Sequence, residues 1–245
     1  MIVAINIGAN TGPNCGKFRA PIFYDGRFHY IPIPELADYV IKPPIYANFS
    51  FKSYVPNSLW KTPMHADPEF ETMTYGHALR GYGCEPRLKK LKEKKDFLLF
   101  YASLRYVDEK NKHRASWINP AWGSYIVGFF KVEHVINQIK GSMIQTNMRV
   151  RFKNNAHLKR KSGHADFWIS GNPGHLLKKA LALSDSKISM KPNDFTRRVF
   201  KTPTGKPITS NNTGFYRQTL VCDDGEAQKE IFTTIGKLNH HIKNT

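Results

Sequence analysis

Two continuous apolar runs constrain this chain more than anything else in it. KDFLLFYASL, starting at Lys95, and SYIVGFFKV, starting at Ser124, show no regular polar–apolar alternation. Strands with both faces buried read this way, because neither face can point at water. The runs predict core strands over Phe97–Tyr101 and Tyr125–Val132. A polar, basic insert, Tyr106 to Arg114, separates them, so a long excursion joins them in place of a tight turn. Two such strands fit a mixed or antiparallel sheet or a small barrel. Gly128, inside the second run, marks a bulge or a close backbone approach.

The flanking sequence supplies the rest of an α+β fold with a few helices and long basic loops. Ile2 to Ile7 is β-branched and reads as a buried first strand. The Gly- and Asn-rich loop after it holds Gly8, Gly12 and Gly16, but neither their spacing nor the sequence that follows makes a dinucleotide fingerprint. The cofactor is therefore left unassigned. Asp25-Gly26 between aromatic runs signals a hairpin turn. Prolines at 32 and 34 take the chain out of the sheet, and Glu35–Val40 suggests a short helical turn. A helix with a cationic face is predicted over Arg87–Lys95. DFWIS reads as a strand, GNPG as a turn, and His175–Leu183 as a helix carrying Leu176, Leu177, Ala180, Leu181 and Leu183 on one face. Phe215–Val221 reads as a strand and Glu226–Leu238 as a closing helix. We see no internal repeat, and one domain over residues 1–245 is expected for this length.

Charge narrows the class of partner. Thirty-seven Lys and Arg against 19 Asp and Glu give a formal net charge of +18. An excess of this size repels itself unless a polyanion neutralises it. DNA or RNA comes first as that polyanion, ahead of an anionic membrane surface or a purely stabilising surface charge. The basic stretches offer Arg87, Lys89 and Lys90, then Arg151, Lys159, Arg160 and Lys161, then Arg197 and Arg198 as nucleic-acid contacts. If six to ten phosphates were neutralised, affinity would fall about 10³- to 10⁵-fold between 50 and 200 mM salt. Three cysteines with no C-x-x-C pair argue against a disulfide framework or a structural zinc site, and a cytoplasmic location is expected. The N-terminal run lacks a basic leader, and no stretch approaches a membrane span.

Chemistry-bearing residues concentrate in TPMHADPEFETMTYG, Thr62 to Gly76. His65, Asp67, Glu69 and Glu71 crowd together there, and Pro63 and Pro68 bar a helix. Asp67 is either a helix cap or part of a reactive loop. A His–Asp pair can orient a general base, and Asp67 alone can activate water or stabilise a cationic sugar. His157, Asp166, Arg217 and Gln218 are the other candidates, the last two for gripping a phosphate or a base edge. His65, Asp67 and His157 also suit a divalent metal, although no metal is assigned. Tyr24, Tyr101, Trp122, Trp168, Phe215 and Tyr216 are candidates for a base pocket, weighed against a place in the core.

Several segments in order along the chain carry a resemblance. PIFYDGRFHYIPIPE, HADPE, KDFLLFYASL, WGSYIVGFFKVEHV, NAH with ADFWIS, and FYRQTLV together resemble the third class of nucleotide-modification-associated domains. The resemblance implies a nucleic-acid context and a DNA base-modification system. The late segment here reads Tyr216-Arg217-Gln218-Thr219, where the resemblance implies an acid. The core pattern is also similar to PUA-like modules, which hold a flipped base. Three functions stay open: action on a flipped-out base or nucleotide, non-catalytic reading of a modified base, and a metal-dependent nuclease.

Overall fold

The computed structural model of the protein describes residues 1–12, 14–77, 85–108, 122–137, 144–163, 165 and 167–239. A curled, half-barrel mixed sheet of seven strands forms its centre, with few helices, an α+β architecture. The strands of the two apolar runs lie at its heart. They are β6 (Phe97–Tyr106) and β7 (Trp122–Ile136), paired antiparallel. β1 (Ile2–Asn6) lies parallel to β6, and β2 (Ala20–Ile22) pairs with the far end of the same strand. β9 (Leu220–Cys222) closes the edge beyond β1. On the other side β8 (Phe167–Ala182) pairs with β7, and β5 (Thr74–His77) pairs with β8. A separate two-stranded ladder joins β3 (Ile33–Pro34) to β4 (Met64–His65).

Both sheet faces are covered, which is why the core strands read as unbroken apolar runs. Val3, Ile5, Leu98 and Phe100 point into a cluster with Tyr46, Val55 and Met64 from the segment between β2 and β5. Their neighbours Ile2, Ala4, Leu99 and Tyr101 point the other way. They meet Val199 of α4 (Asp194–Val199) and Ile231 and Ile235 of α5 (Gly225–Asn239). Among the described residues no helix is long and apolar enough to cross a membrane.

Five local expectations are corrected. His175–Leu183 is strand. Its helical spacing arises because Leu177 to Ala180 bulge out opposite the single residue Val127, breaking the alternation. The bulge's backbone groups find other partners. Asn239 of α5 accepts from the Lys178 and Lys179 N–H groups, and Gly26 accepts from Ala180. The GNPG segment lies inside β8, where Gly171 and Gly174 let the strand pass against Phe130. The helix expected over Arg87–Lys95 is one turn, α1 (Glu85–Leu88), after which the chain loops with Leu88 and Leu91 still buried. Glu35–Val40 is not helical: the chain bends at Ala37, Val40 N–H bonds to Lys159 and Tyr39 bridges Arg160. In the late segment a 3₁₀ turn, Phe215–Arg217, precedes β9, so only its last part is strand. Asp166 and most of the basic insert lie outside the described residues.

At Gly128 the register of β7 slips, and the backbone approaches its neighbours closely. A Cβ there would sit 2.4 Å from the Phe70 ring and 2.8 Å from the His175 carbonyl oxygen. One neighbour is backbone and cannot move aside. Gly128→Ala should cost about 1–3 kcal/mol, read as a lower urea midpoint with an unchanged slope.

Candidate functional site

The site is built where β4 meets the segment after β3. Pairing of Ile33 with His65 places Glu35 beside the His65 ring, and the Glu35 N–H bonds to the Pro63 carbonyl at 2.9 Å. Nδ1 of His65 lies 2.8 Å from Oε2 of Glu35. Arg160, just past α3 (Ala156–Lys159), donates to both Glu35 oxygens, from Nε to Oε2 and from Nη2 to Oε1, each at 3.0 Å. The Glu35 side chain is fully buried, so this acid is paired by a two-pronged guanidinium and a histidine away from water. Burial alone would raise its pKa. The bonds from His65 and Arg160 overcome that and hold it at about 2.

A second set of contacts fixes Asp67 and His157. Oδ1 of Asp67 accepts the Gly76 N–H and the Asn155 side-chain amide, both at 2.8 Å. It ties its loop to β5 and to the start of α3, and no helix follows it to be capped. Asn155 in turn caps α3 by accepting the His157 N–H. The other carboxylate oxygen, Oδ2, faces Nε2 of His157 at 3.5 Å. Gly76 is what lets His157 come in, since a Cβ at that position would lie 2.7 Å from the imidazole Cδ2. The two histidine rings stand edge to face, 4.9 Å apart. Glu69, the next acid, closes its own turn by accepting from Glu71 and Thr72.

The Glu35–Arg160 pair gives the two histidines opposite tautomers. A carboxylate only accepts, and Glu35 at 2.8 Å is nearer to Nδ1 of His65 than Nη2 of Arg160 at 3.2 Å, so that nitrogen carries the proton and Nε2 keeps a lone pair. A guanidinium only donates, and Nη1 of Arg160 lies 3.3 Å from Nδ1 of His157. That nitrogen is then the acceptor, and Nε2 of His157 carries the N–H facing Asp67. Burial pushes the His65 pKa below the ordinary imidazole value, against the opposing bond to Glu35. His65 is thus neutral and basic, and His157 presents a donor. The ligand atoms of His65, Asp67 and His157 also lie within 4.8 Å of one another, a grouping that suits a divalent ion. Holding one with all three would require His157 to move its ring proton to Nδ1 and give up the Arg160 bond.

These residues wall a cleft of about 410 Å³ at the end of β1, shared with Asn6, Ile7, Gly8, Asn10, Cys15, Tyr75, His77 and Arg217. The volume is in the range of small-molecule sites. Burial raises the Cys15 pKa, which keeps it a thiol and a weak nucleophile. Of the predicted catalytic residues, His65, Asp67, His157 and Arg217 converge here. Gln218 does not line the cleft; its carbonyl takes the Tyr101 hydroxyl.

The other predicted contacts are scattered. Tyr101 and Phe215 are core residues and Trp168 is fully buried, while Tyr24 stands 71% exposed near the hairpin turn. Trp122 and Tyr216 meet edge to face near the cleft. Most of the basic candidates are engaged within the fold. Arg151 pairs with Glu133, Arg197 with Asp194 and Arg198 with Glu230. Arg87 donates to the Pro203 carbonyl, and Lys89 lies 5.8 Å from the Phe167 ring. Lys159 is half-buried, with its pKa lowered by that burial against the pull of Glu69 and Glu71. Lys90 and Lys161 are exposed. Sequence reasoning missed Glu35, Asn155 and Gly76, and it read Arg160 as a surface contact. One signal was present: Glu35 is an acid set in an apolar, proline-fixed run.

A family model described as nucleotide modification associated domain 3 matches residues 1–229. The chain belongs to that family. The match spans every residue of the cleft, and it makes this a nucleotide-modification-associated protein. No curated protein and no solved structure matches the chain.

Glu35 offers a direct test of the site's electrostatics. Its folded pKa of about 2 lies below the value of about 4.3 expected when unfolded. Its contribution to stability is therefore present above pH 4.3 and is lost as pH falls towards 2. Glu35→Gln should flatten the acid limb of a stability–pH curve in that window. At pH 7 it should cost about 3 kcal/mol, because Arg160 is left without its acid.

Proposed function

We propose that the protein is an enzyme acting on a base or nucleotide of DNA or RNA, taken out of the stack into the His65–Asp67–His157 cleft. The observation that carries this reading is the pair of complementary histidines, one a base and one a donor, in a nucleotide-sized cleft of a nucleotide-modification family member. Nε2 of His65 accepts a proton from a substrate O–H or N–H as that atom forms its new bond. The resulting imidazolium is held by Glu35. The N–H of His157, oriented by Asp67, donates towards oxygen or nitrogen that gains electron density on the substrate. Arg217, exposed at the cleft, supplies charge for a phosphate. The thiols of Cys15 and Cys222 are unpaired, which supports a reducing, cytoplasmic setting.

A divalent ion at the same three residues is the second reading, supported by the closeness of their ligand atoms. It predicts that Zn²⁺ or Mn²⁺ raises the unfolding temperature of the wild type and not of Asp67→Ala. The acid–base reading predicts turnover that survives chelation.

The main test compares nucleosides from cells expressing the wild type and His65→Ala, by mass spectrometry of their DNA and RNA. A nucleoside of altered mass should accompany the wild type and be lost with the variant. Identical profiles would refute the proposal. With a substrate in hand, His65→Ala should lower kcat/KM by about 10²- to 10⁴-fold. The acid limb of the wild-type pH profile should fall below the ordinary imidazole value of about 6.5, because burial lowers the His65 pKa.

A further inference from the structure

Among the described arginines, two environments stand out. Arg27, Arg151, Arg160, Arg197 and Arg198 each pair with a carboxylate. Arg19 and Arg217 lie instead against aromatic rings. The Arg19 guanidinium sits 4.1 Å from the centre of the Trp122 ring, and that of Arg217 sits 5.2 Å from the Tyr216 ring. Trp122 and Tyr216 touch edge to face at 5.3 Å. The four side chains form a row of cation, ring, ring, cation.

The fold explains the row. Arg19 enters β2, and Trp122 opens β7, on opposite sides of the same end of β6. The 3₁₀ turn carries Tyr216 and Arg217 up to it and is tied to β1 by Asn6, whose amide donates to the Tyr216 carbonyl. Asn6 and Arg217 both line the cleft, so the row starts at its mouth. Nε of Arg19 is buried with no hydrogen-bond partner. In a chain that pairs so many other guanidiniums with acids, a half-buried guanidinium set against a ring in place of an acid is a place where its more exposed nitrogens can take an outside acceptor.

We propose that Arg19, Trp122, Tyr216 and Arg217 form a binding track for single-stranded nucleic acid, holding nucleotides next to the one in the cleft. The rings stack bases and the guanidiniums take backbone phosphates, the combination that single-strand binders use. The track rests on the reading of the cleft as a nucleotide site, and it adds the path of the strand.

The test is fluorescence anisotropy with labelled single-stranded 12-mers of DNA and of RNA, titrated over a range of salt. Trp122→Ala should weaken binding about 5- to 100-fold, and Trp122→Phe should restore most of the loss. Arg19→Gln and Arg217→Ala should each weaken binding and lower the salt slope by about one. Arg217 is exposed, so its variant keeps the test meaningful if a Trp122 variant fails to fold. Arg27→Ala removes the same charge elsewhere and should change affinity less than twofold. The track is overturned if no 12-mer binds, if the track variants bind like the wild type, or if Arg27→Ala loses as much as they do. The two proposals fail separately. Unchanged binding in the track variants, with modification lost in His65→Ala, removes the track alone. Weakened binding in the track variants, with modification intact in His65→Ala, removes the reading of the cleft alone.

Discussion

The contact between Glu35 and Arg160 is the one on which the rest of the site depends. It joins three stretches far apart in the chain: the end of β3, the β4 strand that carries His65, and α3, which carries His157 and ends just before Arg160. A buried ion pair is poor evidence for stability, because desolvating two charges can cost as much as their attraction returns. Its effect here is orientation. One partner is a pure acceptor and the other a pure donor; the acceptor is the nearer group to Nδ1 of His65, and the donor reaches Nδ1 of His157. Two rings of the same chemistry are thereby given opposite roles. A pair of hydrophobic residues in the same space would hold the loops together and leave both tautomers undecided.

The sheet positions that contact without taking part in it. β1 ends at Asn6 where β6 continues, so the strand end opens a gap that Gly8, Asn10 and Cys15 line from one side. β5, at the opposite edge of the sheet, brings Tyr75, Gly76 and His77 to the same cleft. The absence of a side chain at Gly76 lets His157 approach. The walls therefore come from paired strands of the main sheet, and the reactive groups from the short elements β4 and α3 and the loop after β4, pinned by buried polar contacts. This division suits a site that must hold its geometry while admitting a large substrate.

Much of the scaffold was legible in the sequence because its signals are local. The apolar runs of β1, β6 and β7 have no polar face, and that alone identifies strands covered on both sides. The α5 helix shows its periodicity directly. The start of β8 was legible, since DFWIS reads as strand, but its later part was not, because a bulge of four residues shifts its alternation into helical spacing, and the group that stabilises the bulge, Asn239, lies 60 residues away. The site divides in the same way. His65 and Asp67 stand out through crowding of functional groups in a proline-fixed loop. Glu35 and Arg160 are 125 positions apart, and nothing local distinguishes a buried acid from a capping one or a paired arginine from an exposed one.

That last ambiguity bears on how a basic chain is read. A charge of +18 shows that cations exceed anions and says nothing of where the excess acts. The densest basic runs attract attention, yet the described arginines at 151, 160, 197 and 198 have carboxylate partners that offset them. An arginine already paired gains little from a phosphate, because it must give up one anion for another. Arg19 and Arg217 are isolated in sequence, and neither belongs to a basic run. Their neighbours are rings in place of acids, so their charge is available to a ligand that brings both a π face and a phosphate. For this chain, the positions where an arginine meets no acid are a better guide to an anionic partner than the density of basic residues.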